Sequence, residues 1–308
     1  MESLIDTFKF TERGKWENCD NDAATYEIGD NILVFTTDSF TVEPIFFPGG
    51  DIGHLAMCGT INDLCVMGAE PIGISFGLIV EEGFPLSHLR KIVSSIKKIS
   101  RETSIPVATG DTKVMEKNKL DKIVINTSGI GIVQKGELLD KKLVPGDKII
   151  ISGGIGEHAT AILSKRFNFE TEIQTDSKPI LNEIRAIKSF IKQAKDPTRG
   201  GIASALNEFS RRNNVGIIIN EDVIPVKKEV RVTTELLGIN LYELACEGRF
   251  IAVSSSENAE TVLSILKKYN ENASIIGEVV KGDKVIIETF LGKKILSTPT
   301  GRIVPRIC

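Results

Sequence analysis

The sequence has little that would suit a membrane, a nucleic acid or a disulfide-bonded secreted fold. No run approaches about 18 apolar residues, and the N-terminal segment MESLIDTFKF lacks the apolar core of a signal peptide. The net charge of −3 comes without a basic block, which argues against nucleic acid and anionic membranes as partners. The 5 cysteines are an odd number for a disulfide framework. We therefore expect a cytoplasmic protein with reduced thiols.

The chain is long enough for two domains of ordinary size, with 308 residues, 41% of them hydrophobic and 26% charged. Strand-like and helix-like segments alternate in both halves, which predicts an α/β architecture of the α+β type. The turn-forming segment LVPGD marks the change from one half to the other. We predict an N-terminal domain over 1–142, a C-terminal α/β domain over 143–300 and a tail over 301–308.

Apolar runs predict strands in the first half, and helical spacing predicts one amphipathic helix there. The predicted strands are NILVFTTDS, ending at Asp38, then PIGISFGLIV, IPVATG and KIVINTSGIGIV. The helix is PLSHLRKIVSSIKKISRET, whose apolar residues recur at helical spacing. In the second half we predict strands in KIIISG, VGIIIN, RFIAVSS, SIIGEVV and KVIIET. Helices are predicted from about Glu157 and Pro179, and in GIASALNEFSRR, KKEVRVTTELL and AETVLSILKKY.

Aspartates accompany glycine or threonine where these strands are predicted to end. The segments are FTTDSF, PGGDIGHLAMCGTINDLCVMG and VATGDTKV, and their carboxylates are Asp38, Asp51, Asp63 and Asp111. Carboxylates at loop mouths suit Mg²⁺, which shares its remaining positions with phosphates and water. Glycines such as Gly50 allow backbone N–H groups to approach phosphate oxygens. The alternative is that each Asp makes only a turn or a helix cap.

Two further segments carry polar groups in unusual settings. KDPTRGG places Asp196, Thr198 and Arg199 before an amphipathic helix, where they would hold an anion or form an ordinary turn and cap. LACEGRF places Glu247 just before a predicted buried strand. A carboxyl group there would have a raised pKa and serve as an acid or base, unless it lies on the surface.

Together, FTTDSF, FFPGGDIGHLAMCGTINDL, VATGDTKV, KDPTRGG, LACEGRF and the terminal PRIC resemble the HypE family of hydrogenase maturation factors. This family lies within the aminoimidazole ribonucleotide synthetase-like superfamily, and the likeness runs from about residue 20 to the end. The resemblance implies the two-domain fold of that superfamily. It also implies a homodimer whose N-terminal sheets join, with ATP and Mg²⁺ near the interface and a mobile tail.

The resemblance gives the terminal thiol of Cys308 a role. Family members accept a carbamoyl group on this cysteine from the carbamoyltransferase HypF, and then use ATP to dehydrate it to a thiocyanate. The cyanide passes to iron on the HypC–HypD complex during NiFe hydrogenase maturation. A terminal position suits a carrier, because the residues after Gly301 can span roughly 23 to 25 Å when extended. Arg306 would partly offset the effect of the terminal carboxylate on the thiolate.

The resemblance also implies residue roles. Lys113 and Glu247 would handle the protons and the negative charge at the thiocarbamate, with Cys308 as acceptor and Arg306 beside it. Mg²⁺ would be held by Asp38, Asp63 and Asp111, and Asp22 is a less secure member of the site. The expected nucleotide and metal site comprises Asp38, Gly50, Asp51, Asn62, Asp63, Asp111, Thr112, Asp196, Thr198 and Arg199.

Some features depart from the family pattern or leave alternatives open. His54 stands where the family often has Lys, GEHA replaces the common GDHG, and Cys246 replaces the Asn of ANEG. The family's usual glycine-rich segment ahead of Leu4 and Ile5 is missing, so either the start is misassigned or the nucleotide site is more open. For the chain as given, we expect weak, strongly Mg²⁺-dependent ATP binding. The alternatives are another ATP-dependent synthase or kinase of the superfamily, which has no use for a terminal thiol, or a non-catalytic scaffold.

Overall fold

A computed structural model describes residues 13–299 and residue 307 of the chain. Two of the predicted catalytic residues, Cys308 and Arg306, lie outside these described residues. Within the described part, no helix is both long enough and apolar enough to cross a membrane.

The first half of the chain builds a five-stranded sheet and a short two-stranded hairpin. Its strands are β1 (Ala24–Ile28), β2 (Asn31–Phe40), β3 (Phe46–Phe47), β4 (Gly50–Asp51), β5 (Glu70–Glu81), β6 (Val107–Met115) and β7 (Ile123–Gln134). The order in the large sheet is β1-β2-β7-β5-β6, and only β5 and β6 run parallel. The four strands predicted in this half are confirmed. Two predicted ends are wrong, because β2 continues past Asp38 and β6 continues through Asp111.

Helix α1 (Ile52–Val66) covers one face of this sheet, and helix α2 (Leu86–Thr103) packs against α1. α1 is apolar nearly all round and almost completely buried, as expected for a helix enclosed between a sheet and other helices. α2 shows the predicted amphipathic pattern, with Ile92, Ile96 and Ile99 buried. The core positions predicted for Cys58 and Cys65 are confirmed, since both are fully buried in α1.

The residues that the structure describes cover the opposite face of the five-stranded sheet only in part; we call it the open face. Along β7, buried residues alternate with partly or fully exposed ones, which is the pattern of a sheet covered on one side. Phe35, Ile130 and Ile132 point to the open side and are 37%, 37% and 39% exposed. The edge strand β6 is exposed at every position before Met115. The described residues therefore leave apolar side chains of this sheet face and one strand edge exposed.

The second half forms a seven-stranded sheet with helices. The strands are β8 (Lys148–Ile151), β9 (Ile191–Lys195), β10 (Gly216–Asn220), β11 (Ile251–Ser254), β12 (Ser274–Val280), β13 (Val285–Thr289) and β14 (Gly292–Ile295), ordered β14-β13-β10-β12-β8-β11-β9. The helices are α3 (Glu157–Phe167), α4 (Leu181–Ile187), α5 (Gly201–Asn213), α6 (Lys228–Leu237) and α7 (Ala259–Leu266). Every helix predicted for this half is present.

Strand β9 was not among the predicted strands. Its sequence IKQAK lacks an apolar run, and only tertiary contacts explain its burial. Lys192 forms an ion pair with Asp147 at 2.7 Å, and Lys195 forms ion pairs with Asp22 and Glu208. The halves share one continuous core that includes residues of both α1 and α4. Residues from distant parts of the sequence therefore meet where the halves join.

The close contact between α1 and α2 requires glycine at position 53. A Cβ atom there would lie 2.7 Å from both the Cγ2 atom and the carbonyl oxygen of Ile92. We expect Gly53→Ala to lower the free energy of unfolding by about 1 to 2 kcal/mol, because overpacking outweighs the gain in helix propensity. Chemical denaturation measures the change. Ser94→Ala, on the exposed side of α2, is the control and should be neutral; a Gly53→Ala protein as stable as the parent would contradict the packing argument.

Candidate active site

A cavity of about 180 Å³ lies where the two halves meet. It is lined by residues of β2 and α1 from the first half, and by the loops before α5 and β11 from the second. Six of its lining residues belong to the predicted site. The lining residues are Asp38, Ser39, Phe40, Gly59, Asp63, Asp196, Thr198, Arg199 and Glu247.

Asp38 and Asp63 face each other because β2 and α1 pack together. Asp38 lies on the side of β2 that faces α1, as does Thr36 two residues earlier. The Thr36 hydroxyl donates a hydrogen bond of 2.8 Å to Asp63 Oδ2, which orients that carboxylate. These two predicted metal ligands are therefore brought together by the fold.

Asp22 and Asp196 join Asp63 in an acidic cluster. Ligand oxygens of these three residues lie within 4.8 Å of one another, a spacing compatible with one shared cation. The Lys195 ammonium bonds Asp22 Oδ1 and also pairs with Glu208 at 2.8 Å. Among the described residues, no partner hydrogen-bonds the second oxygen of Asp22. The arrangement offers free carboxylate oxygens to a metal ion or a polar ligand.

Burial and mutual repulsion raise the pKa values of these carboxyl groups. Burial, followed by the charge of Asp38, raises the pKa of Asp63 well above its usual range. Burial, followed by the charge of Asp22, raises the pKa of Asp196 to about 8. Crowded carboxylates with raised pKa values bind a divalent cation readily, because the cation offsets both causes. The donor set of hard oxygens therefore fits Mg²⁺.

Glu247 is a buried acid rather than a surface glutamate. It is 2% exposed, and within the part of the chain described its Oε1 atom has no hydrogen-bond partner. Burial, followed by the charge of Asp196, raises its pKa well above the usual range. Its backbone is fixed by two bonds, from Glu247 N to Asp176 Oδ1 at 2.9 Å and from Asn62 Nδ2 to Glu247 O at 3.0 Å. A carboxyl group on a fixed backbone, with one oxygen that no described residue hydrogen-bonds, suits proton transfer.

Three other predicted nucleotide-binding residues have structural contacts. Asp51 caps the N-terminus of α1, since its Oδ1 accepts from Gly53 N and His54 N at 2.9 and 3.0 Å. The side-chain amide of Asn62 forms hydrogen bonds with backbone groups of the second half, including one that its Oδ1 accepts from Ile180 N at 3.0 Å. Gly50 packs against Phe47, where a Cβ atom would lie 2.8 Å from a ring carbon. For Asp51 the cap is therefore the better interpretation.

The predicted metal set Asp38, Asp63 and Asp111 is not assembled within one chain. β5 and β7 lie between β6 and β2, which separates Asp111 from Asp38 by about 14 Å of sheet. Asp111 also pairs across strands with Gly77, and Gly77 with Asn126, on the open face of the sheet. Asp38 points to the opposite face. Within one protomer the three carboxylates are separated because Asp111 lies inside a strand, where side chains alternate between faces.

The same geometry separates Lys113 from Glu247. Lys113 lies on the open face two residues after Asp111, whereas Glu247 contacts Asn62 of α1, beyond the sheet. Thr112 points to the α1 side but is exposed at the sheet edge. The predicted convergence of Lys113 and Glu247 does not occur within a single chain.

Sequence reasoning missed two residues that position the site. The Lys195 ammonium donates a hydrogen bond to Asp22, and the Asp176 carboxylate accepts one from the backbone N–H of Glu247. Lys195 directly precedes Asp196 in KDPTRGG, so its position next to the motif was the available signal. No local pattern distinguishes Asp176 from a surface residue.

Comparison with known proteins places this site in a family. Residues 20–133 match the AIR synthase related protein N-terminal domain, and residues 144–289 match its C-terminal domain. The chain is 41% identical to carbamoyl dehydratase HypE of Rhizobium leguminosarum bv. viciae, covering 95% of this chain and 87% of the relative. The chain belongs to the HypE family.

Solved HypE structures share its fold. A HypE–HypF complex matches with a TM-score of 0.88 and 41% identity, covering 97% of this chain and 98% of that one. A HypE structure in complex with ATP matches with a TM-score of 0.87 and 35% identity, covering 100% of this chain and 96% of that one. The two-domain aminoimidazole ribonucleotide synthetase-like fold expected from the sequence is confirmed.

The cap assigned to Asp51 separates a stability role from nucleotide binding. We expect Asp51→Ala to lower the free energy of unfolding by about 1 to 2 kcal/mol, because two backbone N–H groups lose their acceptor. Asp51→Asn keeps an acceptor oxygen and should lose less. Denaturant titration and ATP calorimetry test both variants, and the Kd for ATP should stay at the parent value. A stable Asp51→Asn protein with ATP binding weakened about tenfold would show that the carboxylate belongs to the nucleotide site.

Proposed function

We propose that this chain is a hydrogenase maturation factor that dehydrates an S-carbamoyl group on Cys308 to a thiocyanate, using ATP. The observation that carries the proposal is Glu247, buried with one free carboxyl oxygen in a cavity it shares with Asp63 and Arg199. A relative 41% identical along nearly the whole chain bears the name carbamoyl dehydratase, which supports the same activity here.

The chemistry balances as two steps. The thiocarbamate oxygen attacks the γ-phosphorus of ATP and releases ADP, which converts a poor leaving group into phosphate. One proton leaves the nitrogen as the phosphorylated imidate forms. The second N–H proton and the phosphate then leave, so that C≡N remains on sulfur. Glu247 is the proton acceptor in this scheme, and burial makes its carboxylate a stronger base than an exposed glutamate.

The acidic cluster would hold the Mg²⁺ that accompanies ATP. Asp22, Asp63 and Asp196 supply oxygens at a suitable mutual spacing, with Asp38 beside them. The ion would bring the nucleotide phosphates to the carboxylates and offset their charge. Arg199 and Thr198, at the start of α5, would contact the phosphates. A HypE structure with ATP supports nucleotide binding at this fold.

A second copy of the chain would complete the site. In the described part of the chain, the open face exposes apolar side chains such as Phe35 and Ile132 and the edge strand β6 is exposed, which supports a homodimer with joined N-terminal sheets. In such a dimer, Asp111 and Lys113 on the open face of one protomer would reach the other protomer's cavity. Lys113 would then balance negative charge on the reacting group next to the partner's Glu247.

The terminal residues would connect this site to other maturation proteins. HypF would load Cys308 with the carbamoyl group, and Arg306 would favour its thiolate. A solved complex of a relative with HypF supports that partnership. After dehydration, the cyanide would pass to iron on the HypC–HypD complex.

Replacing Glu247 by glutamine should stall the reaction after carbamoylation. The variant keeps the size of the side chain and loses the proton acceptor, so the dehydration rate should fall about 10² to 10⁴-fold. Intact-mass spectrometry of the chain, preloaded by HypF and carbamoyl phosphate and then mixed with ATP and Mg²⁺, follows the loss of water. Near-normal dehydration by Glu247→Gln would refute the role assigned to it.

Cys308→Ala is the matched control, and it should take up no carbamoyl group at all. An adduct on Cys19, Cys58, Cys65 or Cys246 would contradict the terminal acceptor. ATP hydrolysis without any change in the mass of the loaded parent chain would favour the scaffold alternative.

Mixing two inactive variants tests whether protomers share the site. Lys113→Met and Glu247→Gln should each be slow alone. If Lys113 serves the partner's Glu247, a mixed dimer has one intact site, and reassociated equimolar protein should recover about a quarter of parental activity. This follows from half of the dimers being hybrids, each with one of two sites intact. The recovery should appear only after the subunits have exchanged.

If Lys113 and Glu247 act within one protomer, neither site of a hybrid dimer is intact. No recovery after demonstrated subunit exchange would therefore refute the shared site.

A further inference from the structure

The penultimate residue of the chain is docked on a buried histidine. Ile307 is 6% exposed and belongs to the main core cluster. Its carbonyl oxygen lies 3.0 Å from Nε2 of His158, which belongs to the GEHA segment at the start of α3. Both a polar and an apolar contact therefore hold Ile307.

The hydrogen bonds around His158 define its tautomer. Thr175 Oγ1 accepts a hydrogen bond from Ser177 N at 3.0 Å and lies 2.7 Å from His158 Nδ1. Because the carbonyl oxygen of Ile307 can only accept, the imidazole proton is on Nε2, and the unprotonated Nδ1 accepts a hydrogen bond from the Thr175 hydroxyl. Nε2 donates to the carbonyl oxygen of Ile307, which has no hydrogen to give.

The environment keeps this ring neutral and fixed. His158 is fully buried, and the ring of Phe47 contacts it edge-on with centroids 5.6 Å apart. Burial lowers the pKa of His158 to about 4, with a smaller contribution from the neighbouring His54. A neutral ring with a single N–H is suited to one directed hydrogen bond.

The docking point is close to the backbone of the proposed proton acceptor. Thr175 bonds His158, and the next residue, Asp176, accepts a hydrogen bond from Glu247 N at 2.9 Å. Consecutive Cα atoms are 3.8 Å apart, so these two anchors lie side by side. Pro299, the last described residue before the tail, lies against Gly200, next to Arg199 of the site.

We propose that His158 is a positioning residue that docks the C-terminal tail through the Ile307 carbonyl and so sets where the thiol of Cys308 stands relative to Glu247. The idea rests on the proposed function, because it assigns a place to that reaction's acceptor. Consecutive Cα atoms are 3.8 Å apart, so docking Ile307 would restrict how far the thiol of the next residue can move. His158 is not among the residues that line the cavity, so we assign it no chemical step.

Thiol alkylation of the full-length protein tests the docking without any turnover. In a Cys19→Ser background, Cys58, Cys65 and Cys246 are buried, so Cys308 should be the reactive thiol. We expect His158→Phe to raise its alkylation rate about two- to twelvefold, the factor that corresponds to one neutral hydrogen bond. His158→Gln retains an N–H donor and should react nearly as slowly as the parent. Ile307→Ala removes the apolar contact and should also react faster.

A functional readout follows the same variants. With carbamoyl groups preloaded by HypF, His158→Phe should dehydrate several-fold more slowly while accepting carbamoyl groups at the parental rate, and His158→Gln should restore dehydration. His88→Phe is the control, because His88 is exposed on α2 and makes ring contacts only with Phe46 and Phe84 among the described contacts. Thermal unfolding confirms that each variant is folded.

Two results would overturn the proposal. One is an alkylation rate in folded His158→Phe and Ile307→Ala equal to the parent rate. The other is a His158→Gln protein as reactive as His158→Phe, which would mean that packing, and not the hydrogen bond, holds the tail. Failure of the proposed function is distinguishable, since a parent chain that never dehydrates would still report docking through its alkylation rate.

Discussion

The site depends on one buried amide, that of Asn62. Its Nδ2 donates to the carbonyl oxygens of Lys178 and Glu247, at 3.1 and 3.0 Å, and its Oδ1 accepts from Ile180 N. These bonds fasten α1 of the first half to two segments of the second half. Because Asp63 follows Asn62 directly, the same contact places the Asp63 carboxylate in the cavity with Glu247. A buried amide left without these partners would cost about 1 to 3 kcal/mol per unsatisfied group, so the halves are held in one arrangement.

The buried, mutually repelling carboxyl groups of the cavity lower the stability of the fold. Carboxyl groups from four separate segments are gathered where burial and mutual repulsion raise their pKa values. Lys195 compensates part of this charge through Asp22, and Arg199 adds a second positive group at the cavity. A purely structural cluster would be expected to pair its carboxylates more fully. The remaining free oxygens point to function, and a divalent cation with its phosphates would remove most of the penalty.

The two faces of the sheet in the first half carry different polar residues. The side that faces α1 carries Asp38 and is buried by the rest of the chain. The open side carries Asp111 and Lys113 on the exposed edge strand β6, away from the cavity lined by Asp38 and Asp63. In the proposed dimer, this division would let one short motif serve the partner's cavity while lying far from the cavity of its own protomer.

The sequence by itself determined the local periodicities and the kinds of chemistry. The alternation in β2 and β7, the amphipathic α2, and the association of Asp38, Asp63, Asp196 and Glu247 with one site all follow from short-range pattern and family resemblance. Tertiary structure decided what depends on distant contacts. Asp51 is a cap because α1 begins there, and β9 is a strand because it pairs with β11 in the second sheet, where Lys192 and Lys195 also meet acidic partners.

Tertiary structure also decided which motif residues meet. Asn62 reaches Glu247 across 185 positions of sequence, and His158 reaches Ile307 across 149. Residue spacing cannot specify such pairs, because they form only when two halves of the chain pack together. The face on which Asp111 lies also depends on strand register. A shift of one residue in the pairing would move every side chain of the strand to the opposite face of the sheet.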